Sequence, residues 1–330
     1  MKLLHNKKTY FFVIFTALLL SYYQTIRVDT PNFDLKFQRH TSIISNSIEY
    51  PYQYRLLNPY AAQLWFSLSK LALPEKAGFL LAYALQNLII YSFLIYAFSK
   101  LISLWFDETG VIVGLLMLSV IIPLSLTGYD NLGDVTTAGM MSLGFYFINT
   151  GRTKFLFPLI FFGAFNELQM ILLAAFYFFG TAGHLTSGKA WLNTVLLVIM
   201  FLVAYYIIYL IRGGEAFFRN LAWLYTKDTK EMNDLQFNLT HPDFVPLWII
   251  MIVPLLFFAL KDFKIKPEFL KRSLIFVLPL FYFIAFLFIA RMREIDKALT
   301  IFVILIPLAL FSLVPYTKRT TPSPLERGMG

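Results

Sequence analysis

Residues 155–179 read FLFPLIFFGAFNELQMILLAAFYFF, with Asn166 and Glu167 at the centre of an otherwise apolar run. The run is long enough to cross a bilayer as a helix, which takes about 20 apolar residues. A carboxylate at that depth costs roughly 2.5–3.5 kcal/mol even on insertion scales, so it faces a partner or water. Two readings follow. The run crosses once, or it breaks at Asn166-Glu167 into two half-length helices and leaves by the side it entered. A single crossing places the later connector with Lys261, Lys264, Lys266, Lys271 and Arg272 outside, against the bias that keeps Lys and Arg cytoplasmic. A break places that connector inside. We therefore expect a re-entrant pair, of the kind found where backbone lines a cavity.

Further apolar runs extend on both sides: Tyr10–Tyr23, Ala77–Phe106, Gly110–Leu126, Val135–Ile148, Ala190–Ile211, Phe244–Leu260, Ser273–Ala290 and Ala298–Val314. They predict an all-α polytopic membrane protein with about 8–10 transmembrane helices, the broken pair included. Barrel strands would alternate apolar and polar residues, and these runs do not. Of 330 residues, 58% are hydrophobic and 14% charged, too little polar surface for a soluble domain of this length. Mean hydropathy is +0.66. The formal charge of +9 lies beside apolar runs, so it points to headgroups and topology and not to nucleic acid.

The connectors are sorted. Lys2 to Lys8, Lys261 to Arg272 and Lys318 to Arg319 are basic. Arg27 to Arg55, Tyr129 to Asp134 and Arg291 to Lys297 mix acids with bases. The expected topology is a single transmembrane domain over residues 1–316. An outer loop spans 24–76, with Leu56–Leu73 as an interfacial helix, and a second outer loop spans 212–243. A tail at 317–330 has too little apolar content to fold. Both termini then face the cytoplasm of a bacterial cytoplasmic (inner) membrane. The rival makes Leu56–Leu73 a true span and puts Asp130 and Asp134 inside. Met1–Leu20 has the look of a signal peptide but no small-x-small site follows, so it reads as an uncleaved first span. The absence of cysteine excludes disulfides, thiolate metal sites and a cysteine nucleophile.

Chemistry-bearing residues gather in the mixed connectors. The first outer loop carries Asp29, Asp34, Lys36, Arg39 and His40, then Tyr50-Pro-Tyr-Gln-Tyr54-Arg55. Aromatic faces stack on sugars, Arg grips phosphate in a fork, and a carboxylate accepts a hydroxyl proton. A solvated loop with an aromatic belt at the headgroups is the alternative. Asp130 and Asp134 share a face if the chain is helical there, a weak divalent-cation pattern, or they cap the helix that follows. Glu167 serves a site or a structural ion pair. Arg291, Arg293 and Glu294 form a similar mixture or an interfacial anchor. Gln86 and Asn87 read as interhelical hydrogen bonds and not as ligands.

In order along the chain, Asp29 and Asp34, Tyr54-Arg55 with Asn58-Pro59, Tyr129-Asp130, Asn166-Glu167 and Arg291-Met-Arg-Glu294 resemble the GT-C superfamily of integral-membrane glycosyltransferases. The likeness covers about the first 180 residues in order. Many members carry adjacent acids in the first loop, whereas Asp29 and Asp34 are separated here, and the His-Pro-Pro element of some members is absent. What the resemblance implies is a GT-C-like fold and transfer of a sugar from a polyprenyl-phosphate donor to a lipid or glycan acceptor on the outer face. Asp29 or Asp34 would be the base, and Arg55, Arg291 or Arg293 would clamp the phosphate. Tyr54, Asp130, Asn166, Glu167 and Glu294 would bind substrate, with a divalent cation as the cofactor to test. A secondary transporter, a lipid-glycan flippase or polymerase subunit, and a non-catalytic assembly subunit remain open from the residues alone.

Overall fold

The computed structural model describes residues 7–47, 55–125, 131–213, 245–283 and 295–316. All regular structure among them is helical. Helix α1 (Lys7–Tyr23) runs on without a break into a wider π-wound turn, Gln24–Asp29. There follow α2 (Phe33–Ile44), α3 (Leu57–Ser69), α4 (Glu75–Ile102), α5 (Glu108–Ser125) and α6 (Leu132–Asn149). Next come α7 (Leu156–Ala164), α8 (Leu172–Gly180) and α9 (Gly188–Arg212). After these are α10 (Val245–Leu260), α11 (Glu268–Arg272) with its π-wound continuation Ser273–Phe283, and α12 (Leu299–Leu313).

Five of these stretches, Thr9–Asp29, Glu75–Ile102, Glu108–Ser125, Gly188–Arg212 and Ile295–Leu313, are long and apolar enough to cross a membrane. The sequence led us to expect more. The two halves of the 155–179 run and α10 are apolar but too short to count. Exposed apolar side chains line the outside of α1 (Phe11, Ile14, Phe15, Leu18) and α9 (Trp191, Leu192, Val195, Leu202), the surface that lipid would cover. Helix α12 is the centre, and its side chains from Leu299 to Leu310 are buried.

Contacts fix the direction of each helix. At one end, Thr9 of α1 donates to Glu108 of α5 (2.9 Å), and Phe106 packs on Phe311 at the close of α12. Lys266 sits at that same end. Its ammonium donates to the carbonyls of Phe258 (2.6 Å), Ala259 (2.9 Å) and Leu308 (2.8 Å). The last carbonyls of a helix have no intrahelical donor and carry the negative end of the dipole, so this cation closes α10 and, through Leu308, ties it to α12 near its end. Burial draws the Lys266 amine down to about 8, with Asp262 opposing.

The 155–179 run is broken in the structure. Phe155, before α7, stacks near Phe147 at the end of α6 (5.3 Å). Chain direction reverses at Phe165–Glu167, and α8 then runs back alongside α6. Gly133 faces Glu167, Gly144 faces Leu173, and Phe145 meets Phe176 (4.7 Å). At the far end of α8, Arg272 donates to the Phe179 carbonyl (2.9 Å) and Phe269 lies against Gly180. Residues 150–155, 181–187 and 261–272 therefore share the end that holds Thr9 and Glu108. We call it the basic end, because Arg152, Lys154, Lys261, Lys264, Lys271 and Arg272 are there.

Helix α3 does not traverse the bundle. It begins beside the hairpin tip, where the Leu56 and Leu57 amides donate to the Phe165 carbonyl (2.8 and 3.0 Å). It then lies antiparallel to the first third of α4, and Ser69 donates to the Gly78 carbonyl (2.8 Å). Helix α2 covers this pair through an aromatic cluster of Phe33, Phe37, Phe66 and Phe79. The described residues of the expected outer loop at 24–76 are thus mostly helical, and the first of them extend α1 instead of leaving it.

Single cysteines introduced into this cysteine-free chain test the hairpin. Lys154→Cys and Lys264→Cys should react with a membrane-impermeant maleimide from one side, and Ser45→Cys from the other. Labelling of positions 154 and 264 from opposite sides would mean that residues 155–179 cross.

Candidate functional site

The hairpin tip carries two consecutive polar residues, and each needs partners once buried. Asn166 is 1% exposed; its Nδ2 donates to the Gly133 carbonyl (2.8 Å) and to Thr137 Oγ1 (2.8 Å). Its Oδ1 accepts from Asn58 of α3 (3.0 Å). Asn58 Oδ1 accepts from Gln86 of α4 (3.5 Å), and Gln86 Oε1 accepts from Trp65 (3.2 Å). Every amide in this chain donates with nitrogen and accepts with oxygen, so the network runs in one direction from α3 through α4 to the hairpin and α6. Gln86 and Asn87 do form interhelical hydrogen bonds, as their sequence context suggests.

Glu167 takes part in a four-membered charge cluster. Its Oε1 lies 3.0 Å from Arg55 Nη2 and 3.7 Å from Lys297 Nζ, while Thr137 donates to Oε2 (3.4 Å). Lys297 also meets both oxygens of Asp134, at 3.0 and 2.8 Å. Gly133 makes room for this: a Cβ there would sit 3.2 Å from Glu167 Oε1. Asp134 stands in the first turn of α6, where the helix dipole favours an acid, but its side chain turns to Lys297 and caps nothing.

A second cluster forms where α1 widens. An α-helix would put residues five apart on different faces, whereas the π turn brings Gln24 and Asp29 together (Nε2 to Oδ1, 3.0 Å). Asp29 is 1% exposed and also accepts from Asn87 (2.8 Å), with Lys36 of α2 at 2.6 Å. The Lys36 ammonium rests 4.0 Å from the Tyr83 ring centre. Next to it, His40 pairs through Nδ1 with the Tyr83 hydroxyl (3.0 Å) and through Nε2 with Gln63 Oε1 (2.7 Å). Because Gln63 Nε2 donates to Ser67, its oxygen must accept, so Nε2 of His40 carries the proton. Burial lowers the His40 pKa; the Gln63 bond opposes this and the Lys36 charge adds to it.

The structure thus divides the residues singled out from sequence. Arg55, Asp134, Asn166 and Glu167 come together. Asp29 belongs to the second cluster, committed to Lys36, Gln24 and Asn87, and adjacent positions on α4 (Gln86, Asn87) carry the link between the two. Asp34 is exposed in the first turn of α2. Tyr54, Asp130, Arg291, Arg293 and Glu294 lie outside the described residues. Both oxygens of Asp134, read earlier as a weak cation ligand, face Lys297, and no group of three or more His, Asp or Glu that could hold a metal occurs among the described residues. Sequence reading named Lys36, Asn58 and Lys297 without giving them a role in a site, and it did not name Thr137. Lys297 had a signal, closing the mixed-charge run that starts at Arg291, and Lys36 lay in the mixed-charge first loop; Thr137 had none beyond polarity.

Comparison with protein-family models, curated proteins and solved structures finds no match for this chain.

Two measurements follow. Lys297→Met should destabilise the fold by about 3 kcal/mol, because it strands a buried carboxylate; adding Asp134→Asn should recover most of that loss in thermal unfolding. Because folding lowers the His40 pKa from 6.5, the unfolded chain binds more protons as pH falls through that value. Stability should therefore drop between pH 7 and pH 5, and the drop should be smaller in His40→Gln.

Proposed function

We propose that this chain is a multi-pass membrane glycosyltransferase that takes a sugar from a polyprenyl-phosphate donor and passes it to a lipid or glycan acceptor at the end of the bundle opposite the basic one. The observation that supports this is convergence. Polar and charged side chains from α1, α2, α3, α4, α6, the hairpin tip and the start of α12 all turn inward in one half of an otherwise apolar bundle. Anchors that merely sit at headgroups would scatter over separate outer faces. By the positive-inside bias the basic end is cytoplasmic, which puts the convergent half on the extracytoplasmic side.

A donor with a phosphate leaving group needs little acid catalysis. It needs a base for the acceptor hydroxyl and positive charge for the departing phosphate. On this reading Arg55 serves the phosphate and Asn166 and Glu167 hold the site together. Asp34 is the accessible carboxylate of the two proposed bases, while Asp29 is buried among its partners and acts by holding α2 onto α1 and α4. A second reading, transport of a lipid-borne or ionic substrate, draws on the broken hairpin, since discontinuous helices build transporter sites.

Purified protein in nanodiscs, offered a panel of polyprenyl-phosphate sugars, tests this. Transfer is expected, and Asp34→Asn should lower it by about 10²–10⁴-fold while leaving the protein folded. Movement of substrate across proteoliposomes with no transfer would favour the transporter; neither activity, with a partner co-purifying, would favour an assembly subunit.

A further inference from the structure

At the basic end the chain leaves α6 by a turn that fixes where the next cation stands. Gly151 has a positive φ of 70°, and the Gly151 and Arg152 amides donate back to the Ile148 (3.2 Å) and Phe147 (2.9 Å) carbonyls, the paired bonds of a Schellman ending. Arg152 is thereby folded back beside the last turn of α6, its guanidinium 5.9 Å from the Tyr146 ring centre. Two residues on, the Lys154 ammonium lies 5.3 Å from the Phe155 ring centre, and Lys100, in the last turn of α4, lies 5.4 Å from that of Tyr96. Tyr146, Phe147 and Phe155 form a row, with ring centres 5.9 and 5.3 Å apart in turn. Lys100 and Arg152 are near enough for their like charges to act on one another. Elsewhere Lys36, Arg272 and Lys297 stand against carboxylates, whereas Lys100, Arg152 and Lys154 meet none among the described residues. Arg152 and Lys154 are exposed, and so are the rings of Tyr96 and Phe155.

Like charges gathered without an acid between them, over rings that are themselves exposed, make a surface that an anion completes. Its place in the fold limits which anion. Cations and aromatic rings at the end of apolar helices stand where headgroups begin, and the exposed rings continue into the surface that acyl chains would cover. A phospholipid carries both parts in one molecule, phosphate for the cations and chains for the rings. We propose that Lys100, Arg152 and Lys154, with the row of Tyr146, Phe147 and Phe155, form a binding site for an anionic phospholipid headgroup at the basic end. Arg152 offers the phosphate a planar fork and the two lysines offer point charges. By the positive-inside bias the lipid belongs to the cytoplasmic leaflet, at the opposite end from the convergent half, and the site does not depend on glycosyl transfer. A lipid held there ties the ends of α4 and α6 to the start of α7, and so braces the hairpin from below.

The test is native mass spectrometry of the full chain in detergent, titrated with phosphatidylglycerol and, in parallel, with phosphatidylcholine of the same acyl chains. Two triple variants are compared with the wild type. Lys100→Gln/Arg152→Gln/Lys154→Gln removes the site, and Lys189→Gln/Lys261→Gln/Lys264→Gln removes as many exposed cations from the same end. Both keep Lys271 and Arg272, so the charge bias that sets topology stands, and each is checked for unchanged thermal unfolding and elution. The wild type should bind phosphatidylglycerol about tenfold or more tighter than phosphatidylcholine; the site variant should lose that preference, and the control should keep it to within about twofold. Should the site variant not fold, Arg152→Gln alone, at an exposed side chain, should weaken phosphatidylglycerol about fivefold. Equal binding of the two lipids by the wild type overturns the proposal, as does an unchanged preference in the folded site variants. Equal losses in the site and control triples would also overturn it, by making the basic end a diffuse field and not a site. Displacement of phosphatidylglycerol by inorganic phosphate at equal concentration would overturn it by making the ligand a soluble anion.

Discussion

A carboxylate cannot stay ionised inside an apolar bundle unless cations and donors are brought to it, and Glu167 imposes that requirement on four parts of this chain. Arg55 comes from the lead into α3, Lys297, shared with Asp134, from the lead into α12, Thr137 from α6, and the tip itself from the turn between α7 and α8. The hairpin exists because the pair Asn166-Glu167 has no apolar solution. Its return to the basic end then decides where α9 begins, and so on which side the connector at 261–272 lies. Gly133 suits the same arrangement, since a Cβ there would sit 3.2 Å from the Glu167 carboxylate.

The widened turn of α1 solves a similar problem nearby. Asp29 is buried and accepts from two amides, with a lysine against it, an arrangement that holds a carboxylate firmly and keeps it from solvent. This argues that α2 is fastened over α3 and α4 by charge on its inner face and by rings around it. Arg212, at the end of α9, fastens the other end of α2: it donates to the Ile43 carbonyl (2.8 Å) and to Asn46 Oδ1 (2.9 Å). The result is a small helical cap on the convergent half.

Much of this was legible in the residues. Length and hydropathy locate most helices to within a few positions, because a helix in hydrocarbon must satisfy its own backbone and has few ways to begin or end. The break at Asn166-Glu167 was legible because charge at that depth is costly, and the later lysines fixed its consequence. What the residues hid was pairing. Asp29 looked like a free acid in a solvated loop, since nothing in the local spacing reveals a π turn or says that Asn87 and Lys36 will close on it. The pairings of Lys297, Asn58 and Thr137 were missed because their partners are far away in sequence, and single polar residues at helix ends carry no local mark of where they point. The likeness to GT-C glycosyltransferases rests on the order of short motifs, several of them outside the described residues, and the fold as described neither strengthens nor weakens it.

The account depends on Glu167 being energetically tied to its cations, and a double-mutant cycle reads that tie directly. Thermal or denaturant unfolding of the wild type, Arg55→Gln, Glu167→Gln and the double variant, all in one detergent, gives the coupling. For residues in contact within one charge network it should be about 0.5–3 kcal/mol in favour of the pair. Strict additivity, with the double variant losing the sum of the single losses, would contradict the account by showing that the hairpin tip is held by something else.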